Sequence, residues 1–338
     1  MHPRTLLTLD LVRSFPRADH KLSKLLAYTL YMLDPILGDR LSVASRWRGA
    51  HPLHAFILLT TRCNMSCEDC FFVDVINDKS VGHLDYNLDE IKKVYKSGLF
   101  NTVSRVILYG GEPTLCKDLY PIIRFFRQRG IVVSMTSNVI RIDRKILEEL
   151  KSADLNMLNL SIYKETSRGV RRNLEYIEKV LEDARSGAFD PERIEISYHG
   201  VDVESYRWAY DFAKQVGARH LLFNRTFYTD YNPKDGGFAE NEEFADEYVS
   251  LCRRIEKEKQ LNFYHATYRG TPNTCSFTTN AFAVGPVETL SPCCMVTPDK
   301  KFGSISEPGP LIDFKNGFLS KQVPNLCKEC HLLGTKHF

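Results

Sequence analysis

The stretch AFILLTTRCNMSCEDC, residues 55–70, joins a short apolar run to a loop that carries three closely spaced cysteines. The run at 55–61 is almost continuously apolar, which is typical of a strand buried on both faces in a parallel sheet. Amphipathic segments follow it along the chain, and several of them end in Gly, as helices often do. Similar apolar runs lie between these segments, at 104–110, 132–138, 157–163, 194–200 and 220–227.

Six strand–helix units in succession predict a parallel α/β array with right-handed connections, either a partial barrel or an open doubly wound sheet. In both architectures the functional side chains gather at the carboxyl ends of the strands. The polar stretch 229–241 is expected to be a linker, and a charged helix should follow it at about 242–259. The rest of the chain is an irregular tail that contains cysteines.

The three cysteines of the opening stretch, Cys63, Cys67 and Cys70, lie on one loop at the predicted carboxyl end of the first strand. Thiolates select soft metals, chiefly zinc or iron–sulfur clusters. Three thiolates can hold three irons of a [4Fe-4S] cubane and leave the fourth iron open to chelate a small molecule. A structural zinc site is the alternative, but it needs a fourth ligand and commonly uses a C-x2-C spacing. The x3 spacing after Cys63 therefore favours a cluster.

Composition is that of an ordinary globular protein, with 338 residues, 43% hydrophobic residues, 26% charged residues and a net charge of +3. No Lys/Arg-rich run or aromatic–basic stripe indicates a nucleic-acid partner. We see no secretory signal, and the apolar stretch at 25–37 is shorter than the ~20 residues of a spanning helix. We therefore expect a cytoplasmic protein without a transmembrane segment, in which ten cysteines serve mainly as metal ligands.

The cysteine loop resembles the CxxxCxxC signature of the radical S-adenosylmethionine (SAM) superfamily. YGGEP, at 109–113, ends the second predicted strand, where that family has a GGEP motif beside the amino group of SAM. Polar residues end the third and fourth strands, where the family contacts the ribose and carboxylate of SAM. Glycines permit close backbone approach to a ligand, and a glutamate can accept from an ammonium group. The resemblance implies SAM contacts from Gly110, Gly111, Glu112, Pro113, Ser137, Asn138 and Ser161.

The resemblance also implies a fold, cofactors and a first chemical step. The fold would be a partial (β/α)6 TIM-like barrel over residues 53–230, with an N-terminal helical extension at 1–52 and a small cluster-binding region at 231–338. Cys63, Cys67 and Cys70 would hold a [4Fe-4S] cluster that cleaves SAM reductively. The resulting 5′-deoxyadenosyl radical abstracts hydrogen from a substrate, and a flavodoxin or ferredoxin would supply the electron.

Five further thiols lie in the last 64 residues. Cys275 is isolated, Cys293 and Cys294 lie in SPCCM, and Cys327 and Cys330 lie in VPNLCKEC. This tail resembles the SPASM/Twitch extensions of radical SAM enzymes, but it has too few cysteines for the two clusters of a full SPASM extension. Glu288 stands where that pattern usually has Gly. Cys294 could replace Cys293 as a ligand. The alternative to a cluster is a zinc knuckle that stabilises the tail. We predict one auxiliary [4Fe-4S] cluster on Cys275, Cys293, Cys327 and Cys330.

The two remaining cysteines are Cys116 and Cys252. Cys252 falls on the apolar stripe of the predicted helix at 242–259, which favours a core residue. The alternative role is that Cys252 donates a hydrogen atom to a substrate radical, as a cysteine does in radical SAM epimerases. Cys116 follows the GGEP motif and is equally ambiguous.

Residues 1–50 contain eight Lys/Arg and four Asp/Glu among apolar runs. We expect helices packed against the barrel, and the alternative is an interfacial patch that meets a lipid, an acidic small molecule or a peptide leader. The predicted substrate is a small metabolite such as a sugar, nucleoside or lipid, changed by oxidation or carbon–carbon bond formation. The second hypothesis is epimerisation or cross-linking of a ribosomally made peptide or protein. A non-enzymatic zinc or cluster scaffold is the third, and the GGEP motif argues against it.

Overall fold

The computed structural model describes most of the chain, and everything below concerns the described residues. These are residues 3–37, 50–65, 67, 70, 84–163, 170–200, 202–225, 242–265, 267–268, 275, 280–285, 288–294, 296, 300–319, 327 and 335–336. The predicted linker at 229–241 and the predicted ligand Cys330 lie outside them.

The described elements alternate between strand and helix through the middle of the chain. The helices are α1 (Pro3–Ser14), α2 (Lys21–Leu37), α3 (Leu88–Tyr95), α4 (Leu119–Gln128), α5 (Arg144–Ser152), α6 (Val170–Arg185), α7 (Val203–Gln215), α8 (Glu242–Glu258) and α9 (Gly309–Leu319). The strands are β1 (His54–Thr60), β2 (Arg105–Gly110), β3 (Val132–Ser137), β4 (Met157–Ile162), β5 (Ile194–Gly200), β6 (His220–Arg225), β7 (Asn262–His265), β8 (Thr267–Tyr268), β9 (Ala281–Val284), β10 (Leu290–Ser291) and β11 (Thr335–Lys336).

Side-chain caps fix where several of these helices begin. Asn87 caps α3, accepting from the backbone N–H of Glu90, while the Glu90 carboxylate accepts from the N–H of Asn87 at 2.8 Å. Asp143 caps α5 in the same way, accepting from Ile146 at 2.8 Å. Each cap satisfies a backbone donor that the first helical turn leaves without a partner. The caps therefore fix where α3 and α5 begin.

The main sheet has the order β10-β9-β1-β2-β3-β4-β5-β6-β7. All neighbours in it pair in parallel except β9 and β10, which are antiparallel. The six predicted strands, the predicted α/β class and the charged helix α8 are confirmed. β7, β9 and β10 were not predicted, and they extend the sheet with segments from beyond residue 230. The division of the chain into domains at residue 230 stays a prediction.

Alternate residues of each strand lie on opposite faces of the sheet. On β1 to β6 one set belongs to the large hydrophobic core that the helices cover, as Leu158 and Leu160 do on β4. The other set faces the inner side of the curved sheet, which we call the lumen. Apolar lumen residues lie on one wall, in a cluster formed by Phe56, Leu58, Ile107, Tyr109, Ala281, Ala283 and Cys294.

Helix α1 covers the amino ends of the strands. The Asp10 carboxylate accepts from Arg193 Nη1 at 2.5 Å and Nη2 at 3.0 Å, and from Asn156 Nδ2 at 2.9 Å. Arg193 directly precedes β5, and Asn156 directly precedes β4. This agrees with the expected helical extension packed against the barrel. None of the described helices is long and apolar enough to cross a bilayer.

Candidate functional site

The cysteine loop leaves β1 and is held at its base by an arginine. Arg62 Nε donates to Asp85 Oδ1 at 3.1 Å, and its Nη2 donates to Asp85 Oδ2 and to the carbonyl oxygen of Leu115. Asp85 also accepts from the hydroxyl of Thr60. The ion pair therefore joins the end of β1 to the turn that follows the GGEP motif. This fixes where the cysteine loop begins.

The GGEP motif lies directly against the base of the same loop. Gly111 N–H donates to Thr60 O at 2.8 Å, and Glu112 N–H donates to Arg62 O at 2.7 Å. A Cβ atom at position 111 would lie 2.0 Å from Arg62 O and 3.2 Å from Cys63 N. Gly110 has a φ of +135°, in the region that favours glycine. Both glycines are required for the motif to pack beside Cys63.

Glu112 is completely buried and holds two strand ends together. Its Oε1 accepts from Thr114 N at 3.1 Å, Thr114 Oγ1 at 2.7 Å and Ser137 Oγ at 2.9 Å. Its Oε2 accepts from Asn138 N at 2.8 Å. Burial raises the pKa of the Glu112 carboxyl, and these hydrogen bonds oppose that shift. Glu112 therefore joins the GGEP motif to the end of β3, and its predicted contact with SAM stays a prediction.

The end of β3 places an amide beside the first cysteine. Asn138 Nδ2 lies 3.7 Å from Cys63 Sγ and donates to Asn64 Oδ1 at 2.8 Å. The next residue, Val139, has a φ of +72°, which is costly for a β-branched side chain. The hydroxyl of Ser137 accepts from the N–H of Val139 at 3.0 Å. The strained backbone thereby fixes the direction of the Asn138 side chain.

Asn173 of α6 joins the ends of β3 and β4, and the sequence reasoning missed it. Its Nδ2 donates to Asn138 O at 2.6 Å and to Ser161 O at 3.2 Å. The Asn173 side chain is completely buried, and its Oδ1 has no hydrogen-bond partner in the described part of the chain. A buried acceptor without a partner is costly, so this atom is suited to a hydroxyl or amino group of a bound ligand.

Tyr163 follows β4 and faces all three cysteines. Burial is the main cause that raises the pKa of its phenol, and the charges of Cys67, Cys70 and Cys63 act in the same direction, so all three thiols lie near it. Ser161, two residues earlier on the same face of the sheet, hydrogen bonds to the phenol. The alternation of strand faces could have indicated Tyr163, since it continues the lumen face beyond Ser161.

The carboxyl ends of β5 and β6 continue this row of polar side chains. Ile162 pairs with Tyr198, so the residues that follow each of them, Tyr163 and His199, are level in the sheet. His199 pairs in turn with Asn224, whose Nδ2 lies 3.2 Å from His199 Nε2 and donates to Ser197 Oγ at 2.9 Å. Although its ring is exposed to the open lumen, the surrounding barrel wall desolvates it and lowers the pKa of His199 to about 4. His199 is therefore a neutral imidazole at neutral pH.

One of the C-terminal cysteines, Cys294, reaches the same end of the lumen. Cys294 lies in the apolar lumen cluster, against which Cys70 also packs, whereas Cys293 packs against the outer core. The phenol of Tyr109 lies near both cysteines, because the charges of Cys294 and Cys293 add to burial in raising its pKa. Cys275 is buried and Cys327 is partly buried. The structure thus brings Cys294 close to the first cysteine loop, while the auxiliary ligand set stays a prediction.

Among the described residues no three Cys, His, Asp or Glu side chains are arranged to hold a metal ion as they stand. The chemistry of the first cysteine loop nevertheless fits a cluster. Cys70 N–H donates to Cys67 O in a turn, and Met65 N–H lies 3.4 Å from Cys63 Sγ. Burial raises the pKa of the Cys63 thiol, and the charge of a bound metal reverses that preference.

The two leftover cysteines lie in the core between the helices and the outer face of the sheet. Cys252 is completely buried on α8, and burial raises the pKa of its thiol to about 12. Cys116 Sγ donates to Tyr86 O at 3.4 Å, and burial raises the pKa of this thiol to about 11. Both positions fit the core interpretation. The hydrogen-donor role of Cys252 stays a prediction, and the site described above does not include this residue.

Comparison with known proteins agrees with this geometry. The family model of the radical SAM superfamily matches residues 57–216. A probable GTP 3',8-cyclase of Methanococcus maripaludis is 29% identical over 168 residues, which is 47% of this chain and 54% of that protein. A probable GTP 3',8-cyclase of Sulfurisphaera tokodaii is 36% identical over 108 residues, 32% of this chain and 33% of that protein. The alignments thus cover about half, or less, of the curated relatives.

Solved structures share the fold over more of the chain. Streptococcus suis SuiB has a TM-score of 0.58 at 16% identity, covering 87% of this chain and 74% of SuiB. Native anSMEcpe with bound AdoMet has a TM-score of 0.58 at 17% identity, covering 83% of this chain and 87% of that one. Identities this low show the fold alone. Residues 57–216 match the radical SAM superfamily, and within this part of the chain the GGEP motif packs against the cysteine loop.

Proposed function

We propose that the protein cleaves SAM reductively and abstracts hydrogen from a small, uncharged, polar metabolite, such as a sugar or nucleoside, held in the lumen. The observation that carries this proposal is the convergence of Cys63, Asn138 and Tyr163 at the carboxyl ends of neighbouring strands. A non-enzymatic scaffold would have no need of this arrangement.

Cys63, Cys67 and Cys70 would hold the [4Fe-4S] cluster, and SAM would lie between the GGEP motif and the ends of β3 and β4. When bound, the reduced cluster supplies the electron that splits SAM into methionine and a 5′-deoxyadenosyl radical. Gly111 lets the GGEP backbone pack directly against the base of the cysteine loop. Asn173 Oδ1 offers a buried acceptor at the same place, suited to the hydroxyl or ammonium groups of SAM.

Side chains of the lumen support an uncharged polar substrate. Opposite the apolar wall, β3 to β6 present hydroxyl, amide and neutral imidazole groups at their carboxyl ends. The charged lumen residues described on these strands and on β2 lie deeper: Arg105 donates to Ser134 Oγ at 3.1 Å, and Glu195 accepts from Asn159 at 2.7 Å. The uncharged groups are Thr136, Ser161, Ser197, His199 and Asn224.

The names of the relatives do not decide the substrate. The curated relatives are named for GTP. A triphosphate would need several cations, whereas the described lumen cation Arg105 lies deep in the barrel and already faces Glu195. One SuiB structure is bound to its precursor peptide, so epimerisation or cross-linking of a peptide is the alternative substrate class for this fold. An auxiliary cluster on the C-terminal cysteines, and a flavodoxin or ferredoxin as electron donor, belong to the proposal as well.

The experiment is iron and sulfide quantitation with EPR spectroscopy of the anaerobically reduced protein, before and after SAM is added. We expect about eight iron atoms per chain, about four in a Cys63→Ala/Cys67→Ala/Cys70→Ala variant, and a SAM-induced spectral change that the variant loses. Formation of 5′-deoxyadenosine by the wild type, measured by chromatography, tests the cleavage step.

The control is Cys116→Ala/Cys252→Ala, which removes two buried thiols outside the cysteine loop and should keep both the iron content and the SAM response. Four iron atoms that all disappear with the first cysteine loop would keep SAM cleavage and remove the auxiliary cluster. A wild-type protein that takes up no iron after anaerobic reconstitution would leave a zinc scaffold as the best account. Deuterium transfer from labelled sugars or nucleosides into 5′-deoxyadenosine separates a metabolite substrate from a peptide.

A further inference from the structure

The N-terminal helices carry an unusual exposed surface. All five large apolar side chains that are exposed in the described part of the chain lie between residues 12 and 26. Large apolar groups concentrated on one surface segment mark an interaction site more often than scattered single ones do. We call this segment the apolar turn, and its exposed apolar residues are Val12 (65%), Phe15 (38%), Leu22 (79%), Leu25 (55%) and Leu26 (47%).

Helix α2 is turned so that its leucines face outward. Lys24, 3% exposed, and Ala27, 4% exposed, lie on its buried face. The Lys24 Nζ has no hydrogen-bond partner in the described part of the chain, and burial lowers its pKa to about 8. Leu22, Leu25 and Leu26 lie on the opposite stripe of the helix. A helix that buries a lysine and exposes leucines is arranged for an apolar contact outside the protein.

Exposed cations are interspersed with these apolar residues. Arg13, Arg17 and Lys21 are all exposed. Arg17 also lines a shallow cavity together with Arg124, Arg127 and Asp154, and the Arg127 guanidinium pairs with Asp154 at 2.9 Å. The apolar turn is therefore rich in positive charge.

The acidic residues of the same two helices are engaged elsewhere. Within residues 3–29 these are Asp10 and Asp19. Asp10 pairs with Arg193, and Asp19 accepts from the Tyr95 hydroxyl at 2.7 Å and lies 3.9 Å from Arg129 Nε. Apolar side chains interspersed with exposed cations are the pattern of helices that lie in the interface of an anionic membrane.

We propose that the apolar turn binds the surface of a bilayer that contains anionic phospholipids. The leucines of α2 enter the boundary between headgroups and acyl chains, and the three cations contact lipid phosphates. A second copy of the chain would fit less well, because a two-fold contact sets the same cations against each other. Since α1 covers the amino ends of the strands, the carboxyl ends with the cysteine loop stay free on the opposite side of the barrel.

The test is flotation of the intact, anaerobically reconstituted protein with vesicles of phosphatidylcholine alone or mixed with phosphatidylglycerol. We expect the protein to float with the mixed vesicles and to bind phosphatidylcholine alone at least about tenfold more weakly. Arg13→Gln/Arg17→Gln/Lys21→Gln should lower the partition coefficient at least about tenfold, since each cation contributes at the surface. Leu22→Ser/Leu25→Ser/Leu26→Ser should lower it by a similar factor.

The matched control is Lys145→Gln/Lys179→Gln/Lys257→Gln, which changes the net charge equally through exposed lysines of α5, α6 and α8. It should float as the wild type does. Failure of the wild type to float with mixed vesicles, or an equal loss in this control, would overturn the proposal. So would a wild-type dimer in sedimentation that the leucine variant dissociates, because the surface would then join two copies of the chain.

Discussion

At the scale of the residue, Glu288 and Val139 hold the backbone in the left-handed region, with φ values of +62° and +72°. For L-residues this conformation costs about 1–2 kcal/mol, so surrounding contacts must stabilise it. At Glu288 the backbone oxygen accepts from Ile305 N at 3.0 Å, which ties the loop before β10 to a later segment. The same position had been identified from sequence as one where the SPASM/Twitch pattern usually has Gly, and the φ value supplies the physical reason.

Glu288→Gly should raise the free energy of unfolding by up to about 1 kcal/mol. Loss of the Cβ atom relieves the left-handed conformation, while the extra freedom of glycine in the unfolded chain offsets about half of the gain. Denaturant unfolding under anaerobic conditions measures the change. Glu288→Ala is the control, because it removes the carboxylate but keeps the Cβ atom. An equal gain in both variants would show that the carboxylate, and not the backbone, is the source.

At the scale of the element, the buried carboxylate of Asp10 helps to attach α1 to the barrel. Asp10→Ala removes the carboxylate that accepts from Arg193 and Asn156, while Arg193 keeps its hydrogen bond to Asn156 O at 2.9 Å. Loss of a buried charged acceptor costs about 1–3 kcal/mol. We expect the unfolding free energy to fall by that amount. The comparison is Asp89→Ala, which breaks the exposed Asp89–Lys92 pair and should leave the unfolding free energy nearly unchanged. Equal effects of the two substitutions would mean that Asp10 does not anchor α1.

Elements with a strong periodic signal could be predicted from the sequence, and those that depend on tertiary pairing could not. The six long apolar runs became β1 to β6 because strands buried on both faces need continuous apolar residues. β9 has only four residues, Ala281–Val284, and is a strand because β1 pairs with it. Asn173 had no signal at all, since a polar residue in an amphipathic helix is usually exposed. Its role depends on how closely α6 approaches the ends of β3 and β4.

The residues of the candidate site likewise form two groups, one that could be identified from the sequence and one that could not. CxxxCxxC and GGEP could be identified because their chemistry fixes their spacing, and the structure packs them together. Tyr163, His199 and Asn224 lie on separate strands, and only the parallel register makes them neighbours. Whether Cys293 or Cys294 faces the lumen depends on the turn at β10, where Ser291 Oγ donates to Cys293 O at 2.9 Å. No spacing rule could have predicted that choice.

At the scale of the whole molecule, desolvated histidines should make the fold sensitive to mild acid. Burial, with the charge of Arg105 in second place, lowers the pKa of His54 to about 3, and desolvation lowers that of His199 to about 4. Because the usual value in the unfolded chain is 6.5, the unfolded chain takes up these protons first as the pH falls. The stability that the neutral histidines provide is complete above pH 6.5 and is lost progressively between pH 6.5 and about 4.

Between pH 7 and pH 5 we expect the unfolding free energy to fall by about 2 kcal/mol through His54, and His54→Gln should flatten this dependence. The raised pKa of Glu112 acts in the opposite direction, since a carboxyl that prefers the protonated form stabilises the fold as the pH falls through the folded-state pKa. The difference between wild type and His54→Gln, measured by denaturant unfolding at several pH values, isolates the histidine because both proteins contain Glu112. His20→Gln, which removes an exposed imidazole, is the matched control. If the His54→Gln profile were as steep as that of the wild type, protons taken up by other groups would cause the acid sensitivity, and the desolvated His54 would not be its origin.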